Sequence, residues 1–124
     1  MSDHEHPFLS MVGGSSPEAA EGRATLSMDV DERHLNAAGT VHGGLLATLV
    51  DTTMGAAIFS AVEDELPATS QLTVTYLRPG TPGPLTVTAS VSKRGDRLAI
   101  CEAEVEQEGK SLVHALATFA LKET

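Results

Sequence analysis

The sequence predicts an α+β domain in which one long apolar helix lies against an antiparallel sheet. Three observations carry that expectation. Residues 45–62 form the longest apolar stretch without Gly-Pro punctuation, which reads as a helix. Five other segments alternate apolar and polar residues with the period of a half-buried strand. Turn-forming runs separate the last four: the Pro/Gly-rich 78–84, Arg94-Gly95-Asp96 and Glu108-Gly109-Lys110.

Taken in order, residues 1–20 read as a tail with a short helix around the apolar patch Phe8, Leu9, Met11 and Val12, closed by Gly13-Gly14-Ser15-Ser16-Pro17. Residues 21–124 form the domain proper. Arg23 to Val30 places Ala24, Leu26, Met28 and Val30 on one face and polar residues on the other, a half-buried strand. His34 to Gly44 is loop-like, rich in Gly, Asn and small residues. After the helix come strands expected at 69–78, 84–93, 98–107 and 111–122. In the third of these, Cys101 shares the apolar face with Ala99, Ala103 and Val105, so the thiol reads as packing rather than as a nucleophile. His114 falls on the face opposite Val113, Ala115 and Ala117.

Composition narrows the function. A chain of 124 residues makes one domain, and 41% apolar residues fit a packed core rather than disorder. No apolar run approaches the ~20 residues of a membrane span, and the N-terminus lacks the basic and apolar segments of a secretory signal. One cysteine builds no disulfide framework, which fits a cytoplasmic protein. A net charge of −9 argues against nucleic acid as partner. His4 and His6 have no third ligand beside them, so neither a metal nor another cofactor is expected. Four of the eight basic residues, Arg78, Lys93, Arg94 and Arg97, lie within twenty positions and offer either solvated turns or a face for a small phosphorylated ligand.

The helix carries the chemistry. At about 100° per residue, Thr48, Asp51, Thr52 and Gly55 fall on one stripe, and Asp51 is its one charge. No Lys or Arg stands at i±3 or i±4, so a carboxylate is expected on an otherwise enclosed helix with nothing local to neutralise it. Immediately upstream, His42-Gly43-Gly44 opens the helix. Two glycines there admit close backbone approach and leave first-turn N–H groups at the positive end of the dipole, a device for binding a carbonyl oxygen. Gly43 and Asp51 are eight residues apart, ~12 Å along a helix. One carbonyl carbon cannot lie within reach of both in the same chain, so joint action requires two subunits.

The run from Asn36 through Val41, His42, Gly43 and Gly44 to Asp51 and Gly55 resembles the signature of the PaaI-type branch of hotdog-fold thioesterases. The resemblance extends from about Phe8 to Leu121 and includes Leu72–Pro79 and the Lys93-Arg94-Gly95-Asp96-Arg97 turn. It implies a sheet wrapped around the helix, a homodimer paired edge to edge, commonly a homotetramer, and hydrolysis of an acyl-CoA, aryl or medium-chain. In that scheme Gly43, with Gly44 beside it, binds the thioester oxygen, and Asp51 of the partner subunit attacks the carbonyl or activates water. Asn36 positions water or thioester, His42 orients the loop and assists the leaving sulfur, and Thr69, eighteen residues after the acid, helps hold the water. Arg78, Lys93, Arg94, Gly95 and Arg97 stand where the family handles the phosphates and ribose of CoA. Asp at position 51 sets the chain apart from the branch with Glu there, and the proline-rich helix entry of hotdog dehydratases is missing. The alternative from another class is a hotdog module that binds acyl-CoA without hydrolysing it.

Overall fold

The computed structural model describes residues 6–123; His4 lies outside them. A short helix α1 (Pro7–Met11) precedes strands β1 (Glu18–Ala20) and β2 (Arg23–Val30), and a 3₁₀ turn (Glu32–His34) leads to the central helix α2 (Gly43–Phe59). Four strands follow: β3 (Glu65–Tyr76), β4 (Gly83–Arg94), β5 (Leu98–Gln107) and β6 (Lys110–Glu123). They form one six-stranded sheet in the order β1-β2-β4-β5-β6-β3, every neighbouring pair antiparallel. This is the α+β arrangement expected, with one long helix on one sheet.

The alternation in β2 is realised without a break: Ala24, Leu26, Met28 and Val30 are buried and their neighbours exposed. The boundary expected after residue 20 falls inside a hairpin. β1 pairs with β2 through Ala19 and Ala24, and Glu21 and Gly22 make the turn with φ of 54° and 82°. Positive φ at both central residues matches the twist of the flanking strands. Further upstream, Leu9 of α1 is buried in the main core. Residues from Pro7 onward therefore pack on the same body as the sheet.

α2 starts two residues before the expected position and ends three residues early. His42 caps its start, and at its end Ser60 bonds back to the helix, its hydroxyl donating to the Ala57 carbonyl (2.7 Å). Leu45, Leu46, Leu49, Val50, Met54 and Ile58 lie against the concave face of the sheet, where they meet inward residues such as Val87, Cys101, Val105 and Phe119. One stripe of α2 is not covered. Thr48, Asp51, Thr52 and Gly55 are only half-buried, because the sheet is open and its edges β1 and β3 do not pair with one another. The composition predicts a largely enclosed helix, and the structure shows where enclosure stops: small and polar residues mark the side that the protomer leaves accessible.

Irregularities in the ladder bend the sheet around the helix. In β3 the register shifts between Thr69, opposite Phe119, and Gln71, opposite Thr118. Tyr76, Val74 and Leu72 pair with the inward residues Val113, Ala115 and Ala117, and an unbroken strand would next turn Ser70 inward. The bulge at Ser70 turns Thr69 inward instead.

Candidate active site

The loop before α2 is tied down at several points. The Asn36 side-chain oxygen accepts from the N–H groups of Ala38 (2.9 Å) and Thr40 (3.1 Å), and its amide nitrogen donates to Thr40 Oγ1 (3.0 Å). This is an Asx-type turn, so within the protomer Asn36 braces the loop. Val41 N–H donates to the Gly80 carbonyl and His42 N–H to that of His34.

His42 caps the helix with its ring. Nδ1 accepts from Gly44 N–H at 2.8 Å, which makes Nε2 the protonated nitrogen of the neutral ring and aims a donor away from the helix. Leu45 N–H goes to the His42 carbonyl. Of the glycine pair, then, Gly44 has its N–H taken, while that of Gly43 makes no hydrogen bond among the described residues. On the other side of the same residue, the Tyr76 hydroxyl donates to the Gly43 carbonyl at 2.7 Å. A Cβ at position 43 would lie 3.3 Å from the Tyr76 ring, so glycine is what lets strand and helix start approach this closely.

Two turns further along, Asp51 Oδ1 accepts from the Thr69 hydroxyl at 2.6 Å. The length is that of a charge-assisted O–H···O⁻ bond. Among the described residues no cation lies within ion-pair distance of Asp51. Asp51 and Thr69 stand at one end of a cavity of about 670 Å³ between α2, β3 and the N-terminal segment, whose walls include Gly55, Phe59, Leu66 and Phe119. A smaller hollow of about 340 Å³, lined by His42, Gly44 and Phe8 among others, lies at the helix entry.

The basic cluster divides. Arg94 pairs with Glu65 at 2.6 Å and donates to the Gly95 carbonyl, while Arg78 donates to the Ser111 carbonyl at 2.7 Å. Among the described residues Lys93 and Arg97 carry no ion pair, and they flank a hollow of about 370 Å³ with Gly95, Asp96, Leu98 and Ile100. Cys101 is fully buried, and burial pushes its thiol up to about 12, so it stays protonated and unreactive at neutral pH. His114 is exposed on the outer face, 3.6 Å from Glu102. No metal-binding group of His, Cys, Asp or Glu occurs among the described residues.

Comparison with known proteins places this geometry. A model of the thioesterase superfamily matches residues 38–114, which is more than half of the chain. The chain belongs to the thioesterase superfamily. It is similar to human acyl-coenzyme A thioesterase 13, 36% identical over 88 residues that cover 70% of this chain and 63% of the human protein, less than two thirds of its length. A conserved protein from Pseudomonas aeruginosa shares the fold at a TM-score of 0.91 with 30% identity, covering 97% of both chains. A variant of the phenylacetic acid degradation protein PaaI from Thermus thermophilus superposes at 0.85 with 27% identity, over 93% of this chain and 98% of that one. A hypothetical thioesterase from Streptococcus pneumoniae, solved with coenzyme A, superposes at 0.81 with 25% identity over 86% and 84%. The hotdog architecture and the reaction class, thioester hydrolysis, are those expected of a PaaI-type member.

The segment matched by the thioesterase superfamily contains His42, Gly43, Gly44, Asp51, Thr69 and the basic positions 78 and 93–97, but not Asn36. Two residues at the site have no role in the sequence reading. Tyr76 stood in the strand that carries the resemblance, yet nothing in a strand's alternation says that its hydroxyl reaches the start of a helix. His34 is buried, with Nδ1 accepting from Asp31 N–H (3.0 Å) and Nε2 donating to the Val12 carbonyl (2.6 Å), which fastens the end of α1 to the helix-entry loop. A histidine in a loop-like run gives no sign of that contact.

Proposed function

We propose that this thioesterase-superfamily chain hydrolyses an acyl-CoA to the free acid and CoA, in a site completed by two copies of the chain. The observation that carries the reading is the pairing of a free Gly43 N–H with a Thr69-held Asp51 carboxylate, ~12 Å apart on one helix. In the reaction, Gly43 N–H and the helix dipole stabilise charge developing on the thioester oxygen. Asp51 of the partner subunit takes the proton of a water whose oxygen bonds the carbonyl carbon, the C–S bond breaks to leave the acid, and the proton passes from Asp51 to the departing thiolate, which the His42 Nε2–H steadies by a hydrogen bond. If Asp51 attacks the carbon itself, the C–S bond breaks to give a mixed anhydride, and a water then opens it to the acid and restores the carboxylate. Thr69 orients the carboxylate and leaves Asp51 its second oxygen for the reaction.

The dimer has independent support. β3 is an edge strand of twelve residues, and its outer backbone groups have no partner strand in the protomer. Long open edges are covered in stable proteins, and a second β3 is the natural cover. β3 also holds Thr69 and Tyr76, so pairing there brings both machineries to the same seam. The tetramer implied by the resemblance would use the outer sheet face, where Leu98, Ile100 and Leu116 are exposed. Lys93 and Arg97 are the cations best able to meet CoA phosphates, since Arg94 and Arg78 are already engaged. Among the described residues no helix is long and apolar enough to cross a membrane. A cytoplasmic setting rests on the single buried, unpaired cysteine.

The test is thiol release from aryl and aliphatic acyl-CoAs, followed with a chromogenic thiol reagent. Asp51→Asn should lower turnover by about a thousandfold or more with modest change in binding, the size expected for loss of a reacting group. Release by both proteins at the same rate would remove Asp51 from the mechanism. No release by either, with acyl-CoA still bound, would make the chain a binding module.

A further inference from the structure

Gly55 is a glycine that the fold itself does not require. It sits in the interior of α2 with ordinary helical φ, where glycine weakens a helix relative to alanine. A Cβ built there would meet nothing closer than Phe119 Cε2 at 3.7 Å, an ordinary contact. Neither backbone conformation nor close packing therefore calls for it. What the missing side chain does is leave space. Gly55 is one turn beyond Asp51 on the accessible stripe, and it lines the cavity of about 670 Å³ that begins at Asp51 and Thr69.

We infer that Gly55 sets the depth of the acyl compartment. This rests on the thioesterase reading above. The volume is that of a full small-molecule site, larger than an acetyl group needs. Past Asp51, Thr52 and Thr69, α2 and β3 wall it with Gly55, Ala56, Phe59, Leu66 and Pro67, and the N-terminal segment adds His6 and Ser16.

Purified wild type, Gly55→Ala and Gly55→Leu are compared on acetyl-, butanoyl-, octanoyl- and dodecanoyl-CoA, with oligomeric state followed by sedimentation. Wild type should favour octanoyl over acetyl by about tenfold or more in kcat/KM, and Gly55→Ala should fall between wild type and Gly55→Leu on octanoyl. Gly55→Leu should lose about tenfold or more on octanoyl and dodecanoyl while staying within about threefold on acetyl. A uniform loss on every chain length, an unchanged profile, or conversion to monomer would overturn the assignment, the last because Gly55 would then make room for the second copy. Calorimetric binding of octanoate separates this claim from the parent reading. Octanoate bound by wild type and not by Gly55→Leu, with no thioester hydrolysed, would sink the thioesterase and keep the compartment; equal binding by both would sink the compartment.

Discussion

The hydrogen bond from Thr69 to Asp51 is the contact on which the proposed site turns at the residue scale. It joins the edge strand to the helix, and it fixes one oxygen of a carboxylate that has no cation beside it among the described residues. A bond to a charged acceptor contributes about 1.5–3 kcal/mol, so its loss translates into roughly a ten- to hundredfold change when it is felt in the transition state. Thr69→Val keeps the shape and removes the hydroxyl; its kcat should fall by about that factor with KM little changed, whereas Thr69→Ser should hold most of the rate. Steady-state kinetics of both variants check this, and equal losses in the two would mean that the methyl, not the hydroxyl, matters. The sequence pointed to a hydroxyl at this position only through resemblance. The backbone supplies the reason, since without the bulge Ser70 would be the inward residue.

At the scale of the elements, legibility followed the strength of the local pattern. β2 was readable to the residue because every inward position is apolar and every outward one is not. β1 was invisible: three residues, all exposed, give no alternation, and their place in the sheet comes from the turn at Glu21 and Gly22. Composition alone made α2 look apolar on all sides, yet the open edges of the sheet leave the Asp51 stripe uncovered. Of the candidate site, the separation of Gly43 and Asp51 along one helix was legible in their spacing. A partner supplied by a distant strand, as with Tyr76, was not. The buried face of α2 bears most of the packing load. Leu49 is fully enclosed, so Leu49→Ala should cost about 2–5 kcal/mol of stability, read from the denaturant midpoint. A loss under 1 kcal/mol would show that the core relaxes around it.

For the whole molecule, the proposed reaction would draw on both ends of one helix, which a single copy could not bring to one thioester. The proposed donor is at its start, the proposed acid two turns on, and the strand that bonds to both is an edge of the sheet. The central claim is that the donor and the acid serving one thioester come from different subunits. Gly43→Pro removes that N–H at a first helical position, where His42 before it already has the extended ψ of 130° that proline demands. Its Cβ would press on the Tyr76 ring at 3.3 Å, so the variant's fold and dimerisation are first checked by circular dichroism and sedimentation. The decisive measurement is thiol release from an equimolar, refolded mixture of Gly43→Pro and Asp51→Asn proteins, each inactive alone. Random pairing makes half the dimers mixed, each with one intact site, so activity should return to about a quarter of wild type. A mixture that forms mixed dimers and stays as inactive as its parents would place the donor and the acid on one chain and contradict the account.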